Sequence, residues 1–161
     1  MRRVGRSTST GRTDSGWIVV GATAEAVYAA FADPEALMKW LPPGRVKGRV
    51  LEYDFREGGA FRIALSHDDD APETGETSGR TDVSVGHFVI LEPGRRIVQA
   101  VELESADAAL QAEMLLTWSF EPTAGGTKVT ATAQNVPPWI SRADHEAGLR
   151  SSLDNLAEYL S

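Results

Sequence analysis

A chain of 161 residues with no cysteine and a formal net charge of −7 has the size of one domain, able to bury roughly 70% of its unfolded surface. The missing cysteines exclude disulfides and thiolate chemistry and fit a reducing cytoplasm, and the acidic balance argues against a nucleic-acid groove on the globular part. No apolar run approaches the roughly 20 residues that cross a bilayer, so a soluble, cytoplasmic protein without a membrane span is expected.

Met1 to Gly16 is basic and rich in Ser, Thr and Gly, with Arg2, Arg3, Arg6 and Arg12 set against Asp14. It lacks the apolar segment of a signal peptide and is expected to be a disordered leader over residues 1–16, ahead of one domain over 17–161. Trp17-Ile18-Val19-Val20 reads as a first strand. Thr23 then offers a helix N-cap, and Val27, Ala30 and Phe31 share one face of a helix through Ala32. Asp33-Pro34 breaks it and starts a second short helix ending near Trp40.

From Val46 onward the period changes to two. Phe61, Ile63 and Leu65 alternate with Arg62 and Ala64 after the Gly58-Gly59 turn. His67 to Arg80 carries Asp68-Asp69-Asp70 but not the spacing of a calcium loop, and it reads as a solvated hairpin loop. Thr81 to Leu91 and Arg95 to Leu103 flank a Glu92-Pro93-Gly94 turn, the second carrying Ile97, Val101 and Leu103 on one face with Gln99 among them. Met114, Leu116, Trp118 and Phe120 form the clearest alternation in the chain, and Gly125-Gly126 turns it into Thr127 to Val136.

Ser141 to Ser161 closes the chain as one amphipathic helix. Leu149, Leu153, Leu156 and Leu160 recur at helical spacing, and Ser141 with Asp144 has the form of a capping box. The order of elements predicts an α+β fold in which a curled antiparallel sheet receives that stripe. The helix face reads His145, Leu149, Ser152, Leu156 and Tyr159, smaller and more polar in its first half. A curled sheet cannot touch a helix equally everywhere, so space is expected near His145 to Ser152. Trp40, Phe61, Ile63, Met114, Trp118 and Trp139 are the facing candidates, each able either to line a cavity or simply to fill the core.

The catalytic search is thin. There is no G-x-S-x-G elbow, and His67, His87 and His145 show no paired-ligand spacing, so neither a metal nor a cofactor is expected. His145, beside Glu146, either points inward as a general acid or base or sits part-exposed in the first turn of the helix.

Several segments in order resemble the START/Bet v1-like superfamily, often called SRPBCC. They are Ala24 to Glu35 with Trp40, Arg56-Glu57-Gly58-Gly59-Ala60-Phe61, Gly86 to Pro93, Leu116 to Pro122, Gly126 to Thr130 and the closing helix. They are most similar to the branch named after the activator of Hsp90 ATPase homologue. The resemblance implies a helix-grip fold, with a seven-stranded antiparallel sheet curled around the C-terminal helix, two short helices after the first strand, and commonly an apolar ligand cavity. Where many relatives carry Gly-Trp in the closing helix, this chain has Gly148-Leu149, which enlarges the cavity or docks the helix less firmly.

Four functions follow as expectations. The first is binding of a small hydrophobic or aromatic molecule by Trp40, Phe61, Ile63, Met114, Trp118, Trp139, His145, Leu149 and Ser152. The second is sequestration of a toxic compound in a stress or resistance role. The third is cyclase- or aromatase-like catalysis by His145, with Glu146 as its helper. The last is a chaperone-associated role, for which the residues before Trp17 are too few to supply the separate domain with which Hsp90 activators engage their chaperone. Hsp90 is therefore not expected as a partner, and the chain is expected to be a monomer or weak dimer.

Overall fold

The computed structural model describes residues 12–44, 46–67, 80–103 and 113–161. The acidic segment over residues 68–79 and the leader over residues 1–11 lie outside them. The elements run β1 (Arg12–Val20), α1 (Ala24–Ala32), α2 (Pro34–Trp40), β2 (Lys47–Tyr53), β3 (Ala60–His67), β4 (Arg80–Glu92), β5 (Arg96–Leu103), β6 (Met114–Thr123), β7 (Gly126–Val136) and α3 (Arg142–Tyr159). One seven-stranded antiparallel sheet has the order β1-β7-β6-β5-β4-β3-β2, curled around the closing helix in a helix-grip α+β fold. Antiparallel neighbours in that order need only hairpins, except that β1 reaches β7 and leaves α1 and α2 to cross to the far edge at β2.

Local chemistry fixes the helices. Thr23 accepts a hydrogen bond from Ala26 N, Asp33 from Glu35 N, and Ser141 from Asp144 N, so each helix start has a side-chain cap. Pro34 sits in the first turn of α2, where its missing N–H costs nothing. The β1 strand begins at Arg12 rather than at Trp17, and Asp14 within it is fully buried. That corrects the expected leader boundary, because the polar residues before Trp17 pair with β7 as far as Val136. Trp17 itself points outward, 54% exposed, with Lys128 Nζ 4.7 Å from its ring centre.

The core gathers on the concave side. Phe31 packs edge-on against Trp40 and Trp118, with ring centres 4.8 and 5.0 Å apart. Leu153 and Leu156 of α3 are fully buried in the same cluster, with Val129 and Ala131 of β7. Gly86 leaves room between β4 and the strands beside it in the sheet: a Cβ there would lie 1.8 Å from the Ala100 carbonyl oxygen of β5 and 3.0 Å from Phe61 Cζ of β3. Tyr159, expected on the inward face, is exposed at the end of the helix.

Candidate functional site

The register of β5 and β6 builds the sheet side of the site. Ile97 lies opposite Trp118, Gln99 opposite Leu116 and Val101 opposite Met114. The side chains of one parity therefore project together toward α3. A cavity of about 260 Å³ lies between this face and the first half of α3. From the sheet it is bordered by Phe61, Ile63, Leu65, Val101, Leu116 and Trp118, with Ser84 and Gln99 as the polar members. Phe31, Leu37, Leu41, Pro43 and Tyr53 close one end, and Asp144, His145, Gly148, Leu149 and Ser152 of α3 form the opposite wall.

Space survives there for a reason visible in the side chains. Gly148 has no side chain, and a Cβ built on it would meet nothing within 4 Å. One turn later the helix becomes tight, with Leu153 and Leu156 fully buried. The α3 helix is anchored beside the cavity by polar groups rather than by the leucines alone. Ser152 Oγ donates to the Leu41 carbonyl at 2.6 Å, and Asn155 Nδ2 donates to the carbonyls of Trp40 and Pro42 at 3.2 and 3.1 Å. These bonds satisfy carbonyls left open where α2 ends.

Of the candidates named from the sequence, Phe61, Ile63, Trp118, His145, Leu149 and Ser152 border the cavity. Three do not. Trp40 is fully buried in the core, its indole N–H donating to the Ala30 carbonyl at 3.0 Å. Trp139 is 46% exposed, in the connection between β7 and α3. Met114, the first residue of β6, stands opposite the lining residue Val101 but does not itself border the cavity. Glu146, paired with His145 in the catalytic expectation, turns away from the lining and accepts from the Ser15 amide at 2.9 Å. His87 is exposed.

Two polar constructions flank the apolar space. At the helix side, His145 Nδ1 lies 2.7 Å from Asp14 Oδ2. Arg12 grips the same carboxylate with Nε at 2.7 Å and a second guanidinium nitrogen at 3.0 Å, and that nitrogen also donates to the Ile140 carbonyl. Arg142 adds a contact at 3.8 Å. A buried carboxylate is costly unless paired, and here charged and hydrogen-bonding partners surround it. The bond from Arg12 holds Asp14 below the usual carboxylate range, burial opposes this, and the bond from His145 lowers it further.

At the sheet side, Trp118 Nε1 donates to Gln99 Oε1 at 2.9 Å. The Gln99 amide nitrogen has no hydrogen-bond partner among the described residues. The Tyr53 hydroxyl donates to the Phe31 carbonyl, and burial pushes its pKa well above the usual phenol value. Gln99 and Asp14 escaped the sequence reading as site residues. Gln99 left a signal, a lone amide on the inward face that carries Ile97 and Val101. Asp14 left none, since its partner stands 131 residues later in the chain.

Comparison with known proteins agrees with this architecture. The family model described as Activator of Hsp90 ATPase homolog 1-like protein matches residues 21–161. A Chromobacterium violaceum protein of known structure is 30% identical with a TM-score of 0.79, covering 92% of this chain and 97% of its own. A Rhodobacter sphaeroides protein is 19% identical with a TM-score of 0.74, covering 98% and 96%. One from Rhizobium leguminosarum is 24% identical with a TM-score of 0.71, covering 92% and 93%. These last two bear on the fold alone. Among functionally curated proteins, none matches.

Proposed function

This chain belongs to the Activator of Hsp90 ATPase homolog 1-like family, and from that premise we propose that it binds a small, largely apolar aromatic molecule between its sheet and closing helix. The observation that carries the reading is the cavity of about 260 Å³ walled by Phe61, Ile63, Leu116, Trp118 and Leu149. An apolar cavity of about 150 Å³ already holds benzene, so this one suits a molecule of one or two fused rings. Sequestration of a toxic compound is a special case of the same binding. Titration with naphthalene, followed by NMR, tests it. Resonances of Trp118, Leu149 and Gly148 are expected to shift together, and shifts confined to surface residues would overturn the reading.

A second reading, acid or base catalysis of the cyclase or aromatase kind, is favoured by one feature. A histidine bordering the cavity is oriented by a buried carboxylate, an arrangement that general bases use. A His145→Ala variant that turns over a demonstrated substrate at the wild-type rate would remove it. Partnership with Hsp90 draws no support from this site, and specific capture of Hsp90 by the purified chain would reverse that ordering.

A further inference from the structure

Resting on the binding reading above, the polar atoms at the two sides of the cavity restrict the ligand further. Asp14 is an ionised carboxylate, gripped twice by Arg12, and has only lone pairs to offer. The His145 nitrogen facing it, Nδ1, must therefore carry the hydrogen. In an uncharged imidazole that leaves Nε2 as a bare acceptor. The amide of Gln99 is fixed by the same logic. The indole of Trp118 can only donate, so it takes Gln99 Oε1, and the amide NH₂ is left as a donor without a partner among the described residues.

The other polar groups of the lining set no such demand. Tyr53 and Ser152 spend their hydroxyl hydrogens on the carbonyls of Phe31 and Leu41. Ser84 can donate or accept, and Asp144 is exposed at the rim. We infer that the site selects a flat one- or two-ring aromatic molecule with an N–H or O–H donor directed at His145 Nε2 and a carbonyl acceptor directed at the Gln99 amide. A molecule lacking either group would leave one of those atoms desolvated and unpaired, and a site built to bond a polar group rejects the analogue that lacks it.

A series of shape-matched indoles tests this. 3-Acetylindole carries both groups. 1-Methyl-3-acetylindole lacks the donor, 3-ethylindole lacks the acceptor, and 1-methyl-3-ethylindole lacks both. The expected result is that 3-acetylindole binds about tenfold more tightly than either singly altered compound, with the Gln99 side-chain amide and His145 ring resonances moving on titration. Gln99→Glu keeps an acceptor for Trp118 but removes the donor, and should erase the advantage of acetyl over ethyl. His145→Phe should erase the advantage of N–H over N-methyl. Four compounds binding with equal affinity would overturn the polarity assignment and leave the apolar cavity reading intact. No binding by any of the four, nor by naphthalene, would overturn both.

Discussion

Asp14 Oδ2 and His145 Nδ1 lie 2.7 Å apart across 131 residues of sequence, joining the start of the first strand to the first turn of the last helix. The contact closes the fold end to end, and it sits on the border of the cavity. Stability should therefore depend on the charge of Asp14. Its folded pKa is held below the ordinary value of 3.8, first by the bond from Arg12. Above the unfolded pKa the carboxylate is ionised in both states and its contribution is complete. As pH falls below about 4 the unfolded state takes up the proton first, so stability is lost until the folded carboxyl also protonates. Urea melts between pH 7 and pH 3 are expected to show this fall in the wild type and a shallower one in Asp14→Asn. At pH 7 that variant should be less stable by about 3 kcal/mol. An unchanged acid dependence would mean that the Arg12 and His145 bonds do not stabilise the ionised form.

Gly148 offers a way to separate stability from binding. A glycine inside a helix costs about 0.5–1 kcal/mol relative to alanine, and the space where its Cβ would stand is open within 4 Å. Gly148→Ala is therefore expected to raise the midpoint of thermal unfolding while binding naphthalene only slightly less well. Gly148→Leu should retain wild-type stability or better and lose most of that binding, since its side chain enters the volume the ligand needs. A stable Gly148→Leu protein with wild-type affinity would place the ligand elsewhere.

The fold was legible because its signals are periodic. Met114, Leu116, Trp118 and Phe120 alternate along β6, and Leu149, Leu153 and Leu156 repeat at helical spacing, so side-chain direction follows from spacing alone. The site was legible only in part. Ring size marks Trp40, Trp118 and Trp139 equally, yet one is core, one borders the cavity and one is exposed. That distinction depends on where the sheet curls away from the helix, which no local pattern encodes. The Asp14 cluster was illegible for a related reason. A short polar stretch reads as solvated until a distant element covers it, and Asp14 is covered by α3 through His145, while the neighbouring Ser15 amide donates to Glu146 at the surface.

Ser152 borders the cavity but is committed to structure. Its hydroxyl donates to Leu41 O at 2.6 Å, and the residue is buried. Ser152→Ala removes one partner and leaves a carbonyl unpaired, at a cost of about 1–3 kcal/mol. Hydrogen exchange should quicken at the Leu41 and Gly44 amides more than in β6, because Ser152, Asn155 and Ser151 together fasten that connection to α3. Uniform acceleration across the sheet would show instead that the bond is part of the global unfolding unit.

Leu149 and Leu153 stand one helical turn apart, and their truncation should not cost the same. Leu153 is fully buried, and its Cδ1 would lie 3.6 Å from a Cβ built on Gly16, so the helix rests on β1 at this point. Leu153→Ala opens a new void in packed surroundings and is expected to cost about 3–4 kcal/mol. Leu149 already faces open volume on the cavity side and is only partly buried. Its replacement by alanine enlarges an existing space and should cost about 1–2 kcal/mol, below the usual range for a packed leucine. The same change should let the protein accept a larger ring system, such as anthracene in place of naphthalene. Chemical denaturation of both variants, with and without the two hydrocarbons, measures the difference. Equal costs would mean that the helix is packed evenly along its length and that the cavity closes in solution.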